Sequence, residues 1–71
     1  MNKSFYVFMA RYRDDKKNPT LQKLAREMFN DHGFPNHSKD YSEVSNYMEM
    51  SGQYDTPLTV FDEAWVLYEG H

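Results

Sequence analysis

The stretch DHGFPNHSKDY, residues 31–41, interrupts a chain that otherwise shows helical periodicity. Gly33 and Pro35 both disfavour a continuous helix, so one helix is expected to end here and another to begin. We expect Gly33 to adopt a left-handed turn and Phe34 to enter the core. On this interpretation the stretch is a structured connector between two helices.

The same stretch contains four side chains of types that bind metal ions: Asp31, His32, His37 and Asp40. Imidazole and carboxylate groups are common ligands of zinc and other divalent ions. The two histidines are five residues apart, with a glycine and a proline between them, and this spacing fits no established helical metal motif. We therefore favour the connector interpretation and expect no metal ion or other cofactor.

Four segments along the chain repeat apolar residues at i, i+3 and i+4, which predicts amphipathic helices over residues 4–13, 20–31, 40–51 and 59–69. Gly52 is expected to end the third helix, and Pro57 to open a short extra turn before the fourth. The expected N-terminal caps are Ser4, Thr20, Asp40 (with Ser38 as its competitor) and Thr59. No segment alternates as a strand does, so we predict an all-α, compact bundle of four to five short helices.

The predicted core consists of the apolar stripes of these helices. Aromatic residues make up 17% of a chain that has no cysteine, so large buried rings must supply much of the stabilisation. The stripes are Phe5, Phe8, Met9 and Tyr12; Leu21, Leu24, Ala25, Met28 and Phe29; Tyr41, Val44, Tyr47 and Met48; and Val60, Phe61, Ala64, Trp65 and Tyr68.

The length of 71 residues predicts a single domain over residues 1–71. No run of about 18 apolar residues occurs, so no membrane partner is expected. The apolar stretch near the N-terminus is short and is broken by Arg11 and Arg13, a pattern that does not fit a secretory signal. We therefore expect a cytoplasmic protein.

Charge is distributed unevenly along the chain. Residues 1–39 contain all eight lysines and arginines and four acids, a net charge of +4. Residues 40–71 contain seven acids and neither lysine nor arginine, a net charge of −7. Such asymmetry favours a role in binding, because each half can attract a partner of opposite charge.

Several fragments occur together in an order and spacing similar to those of a known family. They are Ser4-Phe5-Tyr6, Arg11-Tyr12-Arg13, Asp31-His32 followed by Phe34-Pro35, Asp40-Tyr41, and Phe61-Asp62-Glu63-Ala64-Trp65 with Tyr68. Over about residues 3–69 the chain resembles the YozE family, small uncharacterised proteins of Gram-positive bacteria. The resemblance implies a fold similar to the sterile alpha motif (SAM). It implies no catalytic residue, because the family has no established activity.

The sequence favours a binding module over an enzyme. Asp62 and Glu63 adjoin each other, but neighbours on a helix do not face one another, so they are not expected to act as an acid–base pair. No nucleophile triad, phosphate-binding loop or dinucleotide motif is present. A chain of this size also has little room for an enzymatic pocket.

The charge pattern favours a protein partner, with DNA or RNA as the alternative. The candidate acidic surface for a protein consists of Glu43, Glu49, Asp55, Asp62, Glu63 and Glu69. The candidate basic patch for nucleic-acid phosphates consists of Lys3, Arg11, Arg13, Lys16, Lys17, Lys23 and Arg26. The acidic total charge of −3 counts against nucleic acid. Since both signs occur on one chain, self-association is also allowed.

Overall fold

The computed structural model describes residues 3–70, which form four α-helices and no strand. The helices are α1 (Phe5–Met9), α2 (Pro19–Asn30), α3 (Tyr41–Ser51) and α4 (Leu58–Glu69). The all-α prediction is confirmed. None of the helices in the described part of the chain is both long and apolar enough to cross a membrane.

Three predicted helix ends are confirmed by their local geometry. The hydroxyl of Ser4 caps α1 by accepting a hydrogen bond from the amide of Val7 at 3.2 Å. The carboxylate of Asp40 caps α3 by accepting from the amide of Ser42 at 3.0 Å. Gly52 ends α3 with a φ of 66°, a left-handed conformation that a residue without Cβ adopts at little cost.

The first helix is shorter than the predicted range 4–13. α1 ends at Met9 and is continued by a 3₁₀ turn over Ala10–Tyr12, with the amide of Arg13 donating to the carbonyl of Ala10 at 3.2 Å. Such tightened turns are common at helix ends.

α2 begins at Pro19, so the prediction that Thr20 caps it is wrong. Proline suits the first helical position, because the N–H that it lacks would have no partner there. Asn18 occupies the cap position, but its side chain donates to Asp15 at 2.9 Å instead of capping the helix. That bond, together with one from the amide of Lys17, holds the pKa of Asp15 below its usual value.

α4 begins at Leu58, so Thr59 lies within its first turn and the predicted cap is again wrong. Pro57 occupies the cap position, and its carbonyl accepts from the amides of Val60 and Phe61 at 3.0 and 3.4 Å. Pro57 therefore leads directly into α4 and opens no separate turn.

The core is mostly the one predicted. Tyr41 is the clearest exception, because 41% of its surface is exposed. Tyr12, Leu21, Phe29, Tyr47 and Val60 are half-buried and pack against the core from its edge. The buried apolar side chains are Phe5, Phe8, Met9, Leu24, Ala25, Met28, Phe34, Val44, Met48, Phe61, Ala64, Trp65 and Tyr68.

The connector 31–41 is fixed against the start of α1. The hydroxyl of Ser4 donates to the carbonyl of Asn36 at 2.8 Å, and the amide of Phe5 donates to the carbonyl of Ser38 at 3.3 Å. Phe34 is buried as predicted. The connector therefore holds the start of α1 through two of its backbone carbonyls. These contacts are independent of whether its side chains bind a metal ion.

Gly33 does not adopt the left-handed turn that we expected, because Gly52 alone has a positive φ within residues 3–70. Glycine is needed at position 33 because there is little space for a side chain. A Cβ at Gly33 would lie 3.1 Å from the hydroxyl of Tyr47, closer than an ordinary van der Waals contact. Glycine therefore permits the approach of α3 to the end of α2.

Asp31 is the centre of a hydrogen-bond cluster that the approach at Gly33 makes possible. Its Oδ2 accepts from the hydroxyls of Tyr47 at 2.6 Å and Tyr54 at 2.9 Å, and its Oδ1 accepts from the amide of Gly33 at 3.1 Å. Desolvation raises the pKa of Asp31, but these three hydrogen bonds together outweigh it and hold the pKa below its usual value. The cluster joins the end of α2 to α3 and to the following loop.

Glu27, one turn before Asp31 on α2, holds the same loop. Its two carboxylate oxygens accept from the amide of Asp55 at 3.0 Å and from the hydroxyl of Thr56 at 2.5 Å. Thr56 is buried, so the bond satisfies a polar group that would otherwise lose its hydration. One carboxylate on α2 and one directly after its end thus position the loop that leads into α4.

We expect Asp31→Asn to lower the free energy of unfolding by about 1–3 kcal/mol near neutral pH, because an amide accepts fewer bonds and its NH₂ group faces phenol donors. The pKa of Asp31 is depressed in the folded state, so its contribution is present above its unfolded pKa and is lost as pH falls through the folded pKa. The difference between wild type and variant should therefore shrink below about pH 4. Urea unfolding followed by Trp65 fluorescence measures it.

Tyr54→Phe is the matched control for this prediction, because it removes one donor and leaves the carboxylate in place. It should cost less than Asp31→Asn and should retain the acid-dependent loss of stability. A difference between wild type and Asp31→Asn that stays constant through the acid range would contradict the role assigned to the charge.

We expect Gly33→Ala to destabilise the fold, and we expect its cost to fall in a Tyr47→Phe background, where the hydroxyl that meets the new Cβ is absent. Gly52→Ala is the control: no atom lies within 4 Å of its Cβ, so its cost of about 1 kcal/mol comes from φ alone and should not depend on the Tyr47 hydroxyl. Thermal unfolding of the wild type, the three single variants and the two double variants with Tyr47→Phe measures the coupling. Equal coupling for both glycines would refute the spatial explanation.

Candidate interaction surface

α4 has apolar side chains on two sides. One side is buried in the core through Phe61, Ala64, Trp65 and Tyr68. On the other side Val66 is 68% exposed and Leu67 is 46% exposed. A helix of a monomeric domain usually turns a polar face to water, so the second apolar side is the unusual feature of this surface.

The outer face of α4, as we use the term, consists of Leu58, Asp62, Glu63, Val66 and Leu67. Asp62 and Glu63 lie one turn before Val66 and Leu67, and Leu58 lies one turn before Asp62. Carboxylates therefore border the exposed apolar groups. Glu63 is exposed and makes no hydrogen bond or ion pair with another residue of the range 3–70.

Tyr41 at the start of α3 borders the outer face of α4. Its hydroxyl donates to Oδ1 of Asp62 at 2.6 Å, and its ring stacks on Phe61 with a centroid distance of 5.5 Å. The hydrogen bond to Asp62 is the main cause of the raised pKa of Tyr41, and the charge of Glu49 adds to it. Tyr41 was predicted to be core, and its exposure follows from this bond, which keeps the hydroxyl at the surface.

The six residues of the candidate acidic surface are all exposed. Glu43 and Glu49 lie on α3, Asp55 lies in the loop before α4, and the other three lie on α4: Asp62, Glu63 and Glu69. The contacts of Tyr41 bring Glu49 and Asp62 to one region, whereas the amide of Asp55 is bound by Glu27 on α2.

The residues of the candidate basic patch are also exposed, but two of the arginines lie on aromatic rings of the protein itself. The guanidinium of Arg11 lies 4.6 Å from the ring centre of Phe8, and that of Arg13 lies 4.9 Å from the ring centre of Phe29. Such cation–π contacts stabilise the fold at its surface and restrict the side chains involved.

Arg26 joins the second helix to the same region. Its Nε donates to the carbonyl of Arg13 at 3.1 Å, and its guanidinium lies 4.0 Å from the carboxylate of Asp14. Lys16, Lys17 and Lys23 are exposed on the loop and on α2. An acid thus lies within the basic patch, next to one of its arginines.

Lys3 is held beside α4, because its carbonyl accepts a hydrogen bond from the hydroxyl of Tyr68 at 2.5 Å. Desolvation is the main cause of the raised pKa of Tyr68, and the charge of Glu69 adds to it. A residue of the basic half therefore lies next to the acidic helix. The linear division of charge at residue 40 is partly intermixed by folding.

The four residues of the alternative metal interpretation are not gathered. Asp31 accepts its three bonds within the cluster, Asp40 caps α3, and His32 and His37 are exposed. Within residues 3–70 no three side chains of histidine, cysteine, aspartate or glutamate lie close enough to hold one metal ion.

An open cleft of about 180 Å³ lies beside the loop-anchoring carboxylates, lined by Glu27, Asn30, Asp31, Gln53 and Tyr54. Sequence reasoning missed it. The only local signal was the spacing of Glu27 and Asp31, which places both on one side of α2. Asp31 holds Tyr54, and Glu27 holds the two residues that follow it. A structural role therefore accounts for both carboxylates.

The matches with known proteins all indicate the same family. Residues 4–70 match the family described as YozE SAM-like fold. A UPF0346 protein of Bacillus velezensis is 43% identical over 67 residues, which cover 94% of this chain and 90% of the relative. UPF0346 protein YozE of Bacillus subtilis is 40% identical over 67 residues with the same coverage. A UPF0346 protein of Bacillus cereus is 41% identical over 68 residues, covering 96% and 94%.

No solved structure matches the chain, and the names of these three relatives state no activity. The family match spans almost all of the described residues, and the four-helix architecture agrees with its description. The resemblance seen in the sequence is thereby confirmed. The chain belongs to the YozE family of proteins with a SAM-like fold.

Proposed function

We propose that the protein is a cytoplasmic, non-enzymatic module that binds another protein through the outer face of α4. The observation that carries the proposal is the exposure of Val66 and Leu67, which are adjacent on a helix whose opposite side is already buried. Covering these side chains would remove apolar surface from water, which is the main driving force of protein association.

The surroundings of these residues support a protein partner. Interfaces commonly have an apolar centre and a polar rim, and here Asp62 and Glu63 lie beside Val66 and Leu67. The inner side of α4 is held by packing of Trp65 and Tyr68 against Phe5. A partner would therefore meet a surface with a fixed backbone, which lowers the entropic cost of binding.

Nucleic acid remains the alternative and would bind at the basic patch. Three features weigh against it. The guanidiniums of Arg11 and Arg13 lie on aromatic rings, Asp14 lies beside Arg26, and the chain as a whole carries a charge of −3. Asp14 and the net charge reduce the positive potential available to a phosphate backbone, and the ring contacts restrict the two guanidiniums.

The proposal predicts that a photoreactive benzoylphenylalanine placed at Val66 will crosslink to a discrete protein partner in living cells. The same group placed at Thr20, an exposed position on α2, should give no such adduct. Gel mobility and mass spectrometry of the purified adducts measure both. Val66 is exposed, so the substitution should leave the fold intact, as far-UV circular dichroism can verify.

An additional Leu67→Ser substitution should reduce the Val66 adduct, because it removes a neighbouring apolar contact from the outer face without touching the core. Failure to obtain any adduct at Val66, or equal adducts at Val66 and Thr20, would overturn the proposed function.

Amide NMR titration with short DNA and RNA tests the alternative. We expect no shifts on residues 11–26 at physiological salt, and at low salt only weak shifts that salt removes. Strong shifts that cluster on these residues would favour nucleic-acid binding over the proposed function, provided that Arg26→Gln and Arg11→Gln each reduce them.

A further inference from the structure

The outer face of α4 carries only negative charge. Its charged residues are Asp62 and Glu63, with Glu69 following on the same helix, and residues 40–71 contain no lysine or arginine. Two such faces brought together about a two-fold axis would place like charges opposite each other, which costs free energy. A second copy of this face is therefore a poor occupant, and a positively charged surface is favoured.

Asp62 is held in place before any partner arrives. Its Oδ1 accepts from the hydroxyl of Tyr41 at 2.6 Å, and no donor among the described residues bonds to its Oδ2. A carboxylate fixed by one hydrogen bond loses little further freedom when it accepts a second. Asp62 thus offers an oriented acceptor at the border of the exposed apolar side chains.

Tyr41 lies beside this acceptor; one face of its ring stacks on Phe61, and 41% of the residue's surface is exposed. A carboxylate next to an exposed aromatic ring suits a guanidinium, which forms planar hydrogen bonds to the one and stacks on the other. An ammonium group is a compact, strongly hydrated charge and gains less from such a pair. Leu58 and Val66 lie one turn to either side of Asp62, so apolar surface adjoins the pair at both ends.

We propose that the outer face of α4 binds an amphipathic, arginine-bearing segment of a partner protein, with a guanidinium on Asp62 beside Tyr41 and apolar side chains on Val66 and Leu67. This inference rests on the proposed function and names the chemistry of its partner. The chain's own arginines are a poorer source of the guanidinium. Arg11 and Arg13 lie on aromatic rings, and Arg26 is bonded to a carbonyl and lies beside Asp14.

The probe is a synthetic helical peptide with leucine along one face and arginine along its borders. Three matched peptides replace every arginine with citrulline, lysine or glutamate. Citrulline keeps the planar shape of the guanidinium but is uncharged. Lysine keeps the positive charge but lacks the planar group that forms paired hydrogen bonds. Amide NMR titration of the labelled protein locates binding, and fluorescence of Trp65, which contacts Tyr41 edge-on at 5.5 Å, reports on affinity.

We expect the arginine peptide to shift the amides of Tyr41 and of residues 58–67. The lysine peptide should bind more weakly, and the citrulline and glutamate peptides should give no shifts. Asp62→Asn should weaken binding of the arginine peptide about three- to tenfold, and Val66→Ser by a similar factor. Raising the salt concentration should weaken it further.

Two substitutions away from the outer face of α4 serve as matched controls. Asp14→Asn removes an exposed acid and Met50→Ser removes an exposed apolar side chain. Binding should be unchanged in both. Losses equal to those of Asp62→Asn and Val66→Ser would show non-specific attraction and overturn the inference, as would equal binding of the lysine or citrulline peptide.

The inference can fail separately from the proposed function. If crosslinking at Val66 captures a partner while the arginine peptide does not bind at α4, the chemistry assigned to the partner is wrong and the binding role stands. If sedimentation shows association of the protein with itself that Asp62→Asn abolishes, the occupant is a second copy of this chain, and the inference of a separate partner is overturned.

Discussion

Phe5 connects the shortest helix of the fold to the last one. It is fully buried, and its ring lies 4.7 Å from that of Trp65 and 5.4 Å from that of Phe61. α1 has only five residues, far too few to be stable alone, so these contacts and the Ser4 cap must hold it. Since the same ring packs against the inner side of α4, the position of the outer face also depends on Phe5.

The carboxylates of the protein serve two separate purposes. Glu27 and Asp31 act within the fold: they accept hydrogen bonds from the buried Thr56 and from the hydroxyls of two tyrosines. Asp62 and Glu63 have few internal partners and lie beside exposed apolar groups. Internal acids thus fix the loop that leads into α4, and external acids set the charge that a partner of this helix must match.

Most local signals in the sequence were interpreted correctly, although Thr20 and Thr59 each lie two positions beyond the actual cap. The periodicity of the helices, the caps at Ser4 and Asp40 and the turn at Gly52 depend on residues within a few positions of one another. Sequence reasoning failed at Asp31, whose tyrosine partners are 16 and 23 residues away. The predicted left-handed turn at Gly33 was wrong for the same reason, because the need for glycine comes from the distant Tyr47. A helical stripe also shows which side of α4 is buried, but only the packed structure shows that no described element covers Val66.

The bond between Tyr68 and Lys3 and the packing of Phe5 on α4 join residues from opposite ends of the chain. During synthesis, α1 therefore leaves the ribosome long before its packing partners on α4 exist. α2 also packs on α4, and Tyr41 at the start of α3 bonds to Asp62, so the earlier helices complete their packing only when α4 emerges. Until α4 emerges, Phe5 and Phe8 lack the ring partners on α4 that complete their burial. Aromatic side chains that are exposed in a nascent chain are open to chaperones and to aggregation.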